Sequence, residues 1–500
     1  MGTIDISDFS GGLNRRDGYG GVADNEITES LNCYLLARGI AKRSGYARYN
    51  ASARISTTNA GMGIYHAPFV GGAGSKVVGV AGSIIAYKGT NTWTDITGSV
   101  TVTAGEPTIL TMINNVLVGV NGTDSLWYWT GSANAIVLSC ENVPSAPSTC
   151  ESFHGRLFLV KDRRLYWSGY MGDWNTFHPD DFQDFPQKIT GIKVYGETNQ
   201  SVLLVFTENS IHQCIFDPET GVNVGGRGTF RFDQISTKHG CISPYSIQEC
   251  LTPDGNIMLI WADADGLKAL SGTQIIKLTD KIQPDWDDLN AARLDDTIGI
   301  YYNPKYWYLL LCTTGTNATN NRVIVYDLRY LTVSGYYDWK MSTAGIVRSS
   351  GIDYLIGSDY SGYWNTYDSG NDDNGTAITA SFKTKSYDGN QPLYDKGFTA
   401  IGIHHTYSEI YNFTLNAYYD FLAKSYSTTY TTTNPSAPLG SFVLGRDFLA
   451  ELTALVIAAH SLSGRGRNVQ LLVSNNEVNT PFKIYKMQIV YTLGRMVLGR

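Results

Sequence analysis

Along most of the chain, apolar residues alternate with polar ones, and the alternation breaks repeatedly at Gly, Asn or Asp. That is the signature of strands joined by turns. A loose repeat runs through it: a turn, an apolar strand, a polar turn and a second strand often rich in aromatics. Units begin at Lys76, Asn115, Gly155, Gln200, Gly255, Lys305 (resumed at Arg322) and Gly351. Their starts lie about 40 to 55 residues apart, the spacing of four-stranded propeller blades. The pattern predicts an all-β fold with a β-propeller of six or seven blades over roughly residues 55–375.

The two flanks do not follow the repeat. Residues 1–54 read as an arm with one short helix, starting near Asp24 as cap and placing Ile27, Leu31 and Tyr34–Leu35 on one face. Glu26 and Glu29 suit the positive end of its dipole, and Gly39 its stop. Residues 376–500 predict strands at Ile378–Lys383, Thr399–His404, Phe413–Tyr419, Val469–Ser474 and Ile484–Leu493. Leu449–His460 fits either helix or strand, and the polar tract Ser425–Ser436 either a loop or a hairpin arm. Because domain termini usually lie close together, the flanks are expected to form one β-rich platform with the propeller inserted between them.

Composition narrows the function classes. Charged residues make up 17% of the 500 and the net charge is −7, against a role in wrapping duplex DNA through a basic surface. Seven cysteines are spread without a C-x-x-C pair, which reads as free thiols in a reducing compartment. No apolar run reaches membrane-spanning length and no secretion signal is visible at Met1–Gly12, so a soluble chain made in a cytosol is expected.

Candidate chemistry is thin. There is no nucleophile elbow, phosphate loop or H-E-x-x-H motif. Gly225–Gly228 reads as a connecting loop, and the adjacent His404 and His405 would face opposite sides of a strand. Asp180, Asp181 and Asp184 cluster in one loop, where a glycosidase pair is conceivable but a surface loop is the better reading. Asp368–Gly375 has the look of a calcium loop with the wrong residues at the first and twelfth positions. Ser358–Trp364 resembles a sialidase Asp-box with shifted spacing, a turn between strands and not a catalytic element. Catalytic, cofactor and metal residues are therefore expected to be absent. Among the basic residues of the flanks, Arg15 with Arg16, Lys42 with Arg43, and Arg465 with Arg467 form close pairs. They are the candidates for an interface.

The chain ends carry a resemblance. Phe9-Ser-Gly-Gly-Leu-Asn14, Leu31-Asn32 and Ala41-Lys-Arg-Ser-Gly-Tyr46 are similar to the opening of short-tailed phage nozzle proteins, also called tail tubular protein B or tail stabilisation proteins. Ile356–Tyr363, Tyr367–Gly370 and Asp373–Ile378 resemble that family's exit from its propeller. Leu462–Arg467, Val469–Asn475 and Pro481–Tyr485 running to Tyr491 resemble its last strands. These segments cover about a quarter of the chain. The resemblance implies a homohexameric ring in the virion tail below portal and adaptor, continuing the channel for double-stranded DNA. It further implies retention of the packaged genome, opening at ejection and anchoring of tail fibres or spikes, with no cofactor. A carbohydrate-binding or glycoside-hydrolysing propeller of a phage tail, and a cytosolic scaffold, are the competing readings.

Overall fold

The computed structural model describes every residue except 19, 52, 71–73, 198–199, 218–228, 407–411, 432–454 and 497–500. The fold is all-β, and antiparallel four-stranded sheets dominate it. In chain order these are sheet I (residues 61–95), II (109–137), III (149–184), IV (189–236) and V (248–277). Sheet VI (298–337) has the same four-stranded meander but continues into a ten-stranded sheet. Sheet VII takes Met341–Ser349, Ile352–Asp359 and Trp364–Tyr367 and borrows its fourth strand, Tyr46–Arg48, from the N-terminal flank. Thr366 sits opposite Ala47 in that closing pair. Tyr46–Arg48 therefore leaves the N-terminal platform expected over residues 1–54 and joins sheet VII.

Each repeat unit read from the sequence is the central hairpin of one sheet. In sheet IV, Leu203 and Val205 point to one side and Leu204 and Phe206 to the other, as a strand requires. The first pair packs on Phe158 and Val160 of sheet III, the second on Leu259 and Trp261 of sheet V. Both faces are buried, which is why these strands read as continuous apolar runs. The packing continues around the molecule. Val78 and Val80 of sheet I meet Leu117 of sheet II, and Val118 and Val120 of sheet II meet Leu157 and Leu159 of sheet III. Met258 and Ile260 of sheet V meet Tyr308 and Leu310 of sheet VI, whose Leu309 and Leu311 meet Leu355 of sheet VII. Ile356 and Trp364 of sheet VII then return to Val77 and Ala81 of sheet I, closing the circuit.

Local turn chemistry fixes the strand register. The loops Asn114-Asn115, His154-Gly155 and Ser350-Gly351 each have two residues, all with positive φ. That is the type I′ geometry whose twist matches the strands it joins. Ser358–Trp364 is a turn of the expected kind: Asp359 Oδ1 accepts from the backbone amides of Ser361 and Tyr363 at 2.9 and 3.0 Å.

The flanks form two sheets. In the first, Leu455–Gly466, Tyr394–Thr406, Lys483–Met496, Ile40–Lys42 and Cys33–Leu35 lie side by side, with Gly2–Ile6 paired to Lys483–Met496. In the second, Glu26–Leu31 joins Thr332–Tyr337 of sheet VI, followed by Ala380–Thr384, Val469–Asn475, Asn412–Tyr419 and Lys424–Thr431. The two ends of the chain thus pack together, with Ile4, Ile6, Phe9 and Leu13 in one core with Phe398, Val473 and Ile489.

The helix expected from Asp24 does not form. Glu26–Leu31 and Cys33–Leu35 are strands, divided at Asn32 by a left-handed φ of 54°. Pairing on both sides of Glu26–Leu31 outweighs a helical apolar spacing that is compatible with a broken strand. Leu455–His460 resolves as strand, while 449–454 lie outside the described residues. Ser425–Thr431 is the second arm of a hairpin, and 432–436 lie outside the described residues.

Trp364 is 1% exposed and sits where sheet VII meets sheet I. Replacing it with alanine is expected to cost about 3–5 kcal/mol by opening a cavity in that contact. Urea denaturation of Trp364→Ala beside the wild type measures this, and a loss under about 1 kcal/mol would mean the closure is not tightly packed.

Candidate functional site

The six basic residues singled out from the sequence divide into two kinds. Lys42 and Arg43 are 4% and 2% exposed, so they present no charge on the surface of this chain, and the interface expected of them is corrected to an internal role. Lys42 Nζ donates to Asn475 Oδ1 at 2.6 Å and to the Glu477 carbonyl at 3.2 Å, tying the N-terminal flank to the C-terminal one. Arg43 donates to Asn32 Oδ1 at 2.8 Å and to the Ser44 carbonyl at 3.0 Å. Its guanidinium also forks onto Asp373 at 2.7 and 2.8 Å and reaches Asp338 at 2.7 Å. The ring of Trp339 lies 5.0 Å from it.

The other four are on the surface, at separate places. Arg15 pairs with Asp285 at 3.2 Å and Arg16 with Asp17 at 3.1 Å, beside the short helix Gln283–Asp287. Arg465, in strand Leu455–Gly466 of the first flanking sheet, and Arg467 just after it stand near the hairpin turn Asp420–Leu422 of the second. Arg465 lies 3.6 Å from Asp395 and is largely exposed.

Several carboxylates of the acidic motifs have internal partners. Asp184 takes both nitrogens of Arg164, at 2.6 and 2.8 Å, and the hydrogen bonds from that guanidinium hold its carboxyl below the usual range. Asp180 faces solvent at 88% side-chain exposure, 3.7 Å from His178. In the loop that resembles a calcium site, Asp368 pairs with Lys305 at 2.6 Å, Asp373 with Arg43, and Asp372 accepts the Gly375 amide. No group of three or more His, Cys, Asp or Glu placed to hold a metal occurs among the described residues. His405 is buried with Nε2 3.2 Å from the Tyr430 hydroxyl, while His404 is half-buried on the other face of the strand. Gly225–Gly228 lies outside the described residues. All seven cysteines are free, and burial pushes the thiols of Cys241 and Cys312 up to about 12.

A cavity of about 460 Å³ lies among the first strands of the seven sheets, where they approach one another. Its most polar feature went unread in the sequence. Lys193 of sheet IV donates to Glu151 of sheet III at 3.0 Å, and that carboxylate raises the lysine's pKa. Nearby, burial raises the carboxyl of Glu249. The 42-residue separation of Lys193 and Glu151 leaves no local signal; only the pairing of neighbouring sheets makes them meet. An ion pair with both charges satisfied can position a ligand but supplies no nucleophile.

No family model matches the chain, and no curated protein does. Among solved structures it resembles the computationally designed Ika8 protein, with 8% identity, a TM-score of 0.37, and coverage of 64% of this chain and 99% of that one. It also resembles BBS1N, solved in complex with ARL6DN, with 10% identity, a TM-score of 0.38, and coverage of 65% and 96%. Likeness at that level bears on no functional assignment.

Two substitutions test the internal cross-links. Arg43→Met strands the Asp373 carboxylate, so a loss of about 3–5 kcal/mol is expected in chemical denaturation. Burial pushes the Lys42 ammonium down to about 8 from 10.5. Between those values the unfolded chain holds a proton that the folded chain lacks, so this group's contribution to stability rises with pH across that window. The melting temperature of wild type relative to Lys42→Met is therefore expected to be higher at pH 9.5 than at pH 7. An unchanged difference would mean that Lys42 is not desolvated.

Proposed function

We propose that this chain is a structural virion protein, a tail nozzle subunit of a short-tailed phage. On this reading the circuit of seven sheets is a β-propeller over residues 55–375. The segments 1–54 and 376–500 build the platform from which it projects, apart from the closing strand Tyr46–Arg48. Six copies form a ring below portal and adaptor. The ring continues the DNA channel, retains the packaged genome, opens for ejection and anchors fibres or spikes. The protein is made in the host bacterial cytoplasm and resides in the virion tail. DNA passes through without sequence-specific binding, and the chain performs no catalysis.

One observation carries most of the weight. The sequence segments that resemble the nozzle family lie hundreds of residues apart, yet they meet in space. Ala41 and Ile40 pair with Lys483 and Ile484, Lys42 bonds to Asn475, and Arg43 bonds to Asp373. The residues carrying the resemblance are thus the ones that hold the two flanks and the propeller exit together, as expected if they specify one shared architecture. In support of a non-catalytic role, Asp184 of the three carboxylates that suggested a glycosidase is engaged with Arg164, and Asp368 and Asp373 of the calcium-like loop with Lys305 and Arg43.

Reconstruction of the virion tail tests the assignment: six copies below the adaptor are expected, and absence from the tail or a lone copy would overturn it. Purified protein is expected to leave capsular polysaccharide and peptidoglycan intact. Turnover lost on changing Asp180, Asp181 or Asp184 to asparagine would favour the glycoside-hydrolysing alternative.

A further inference from the structure

The outer edge of the second flanking sheet, at the hairpin Asn412–Thr431, meets strands of the first flanking sheet. There the start of strand Tyr394–Thr406 and the tail of strand Lys483–Met496, both of the first flanking sheet, come together with the hairpin turn at Asp420–Leu422 of the second. Large apolar side chains are exposed there: Leu393 by 55%, Leu493 by 52%, Met496 by 44% and Leu422 by 42%. Their backbone is held firmly. Lys396 Nζ, buried, donates to the carbonyls of Gln391, Tyr394 and Arg467 at 2.6, 3.0 and 2.8 Å, and the Arg467 amide donates to Asp420 at 2.8 Å. Asp420, Phe421 and Leu422 have consecutive φ values of 51°, 55° and 75°, a conformation that costs energy for bulky side chains and gains Leu422 little burial in return.

Charge rims this patch. Arg465 and Lys424 are offset by Asp395 and Asp420, but Arg467 and Arg495 are exposed and make no ion pair among the described residues. Toward the other side of the sheet, Asp285 of helix Gln283–Asp287 bonds to Tyr336 in strand Thr332–Tyr337. In this region Asp287, Asp288 and Asp295 are exposed and make no ion pair among the described residues. Five strand spacings separate Thr332–Tyr337 from Lys424–Thr431, about 24 Å at the usual interval. An apolar-and-basic surface beside the outer edge of this sheet and an acidic one beside sheet VI are too far apart to meet within a chain, but they can meet between chains stacked head to tail. Such a heterologous contact generates a ring when its rotation closes.

We propose that the patch at Leu393, Leu422, Leu493 and Met496, with Arg467 and Arg495, docks onto the acidic surface at Asp287, Asp288 and Asp295 of a second copy of this chain. This rests on the ring reading above and adds which faces meet. The test uses the full-length protein and sedimentation equilibrium up to about 1 mM. Wild type is expected to self-associate, more weakly in high salt. Arg467→Glu/Arg495→Glu and Asp287→Lys/Asp288→Lys are each expected to associate at least tenfold more weakly, and an equimolar mixture of the two to regain association, because every contact is then complementary again. Leu422→Gly is expected to keep or raise the melting temperature while weakening association, the opposite of a residue needed only for folding. Wild type that stays monomeric, or swapped variants that associate as wild type does, overturns the docking surface. Failure of the ring reading is seen separately, in the virion reconstruction.

Discussion

A buried guanidinium holds together the parts of this protein that sequence order keeps apart. Arg43 belongs to the N-terminal flank, Asp338 follows the last strand of sheet VI, and Asp373 lies in the segment leading out of sheet VII. A group that is permanently charged and almost fully enclosed must have its donors satisfied or it destabilises the fold. Here five hydrogen bonds do so, and the planar fork reads Asp373 through both oxygens. The consequence is geometric: the chain's entry into the circuit of sheets and its exit are fixed relative to one another. Lys42, one residue earlier, does the same for the C-terminal strand Val469–Asn475. Tyr46–Arg48 follows a few residues later and completes sheet VII.

The repeat was legible because its strands are buried on both faces. A strand sandwiched between two sheets has to be apolar throughout, and the turns between strands need residues that tolerate positive φ, as at Asn114-Asn115 and Ser350-Gly351. Those are local demands, and they leave a local trace. The C-terminal strands were legible for a related reason, alternation over long segments. The segment 24–35 misled because Ile27, Leu31 and Leu35 satisfy a helical spacing, yet they lie on two strands separated by a kink at Asn32, with Ile27 and Leu35 fully buried and Leu31 only half-buried. Glu26, which looked like a dipole partner, instead accepts from Lys281 at 2.8 Å and from Asn14 at 2.8 Å.

Charge was less legible than fold. Three basic pairs in the flanks look alike in the sequence, yet one is an internal cross-link, one is largely neutralised beside an acidic segment, and one stands at an apolar surface. The difference lies in which carboxylates come near, and Arg43's partners are about 300 residues away in sequence. The Lys193–Glu151 pair at the centre was invisible for the same reason.

The borrowed strand also imposes an order on synthesis. Tyr46–Arg48 leaves the ribosome early, but its partner Trp364–Tyr367 follows roughly 320 residues later, on the order of 15 to 60 s at about 5–20 residues per second. Until Trp364–Tyr367 is made, the sheets already formed are at most an open arc, and the sheet I face that will receive Ile356 and Trp364 has no partner. A nascent chain in this state presents apolar surface that favours intermolecular pairing, and stalling or truncation before residue 367 leaves it there. Closure of Tyr46–Arg48 against Trp364–Tyr367 therefore has to wait until the last third of the polypeptide is being made.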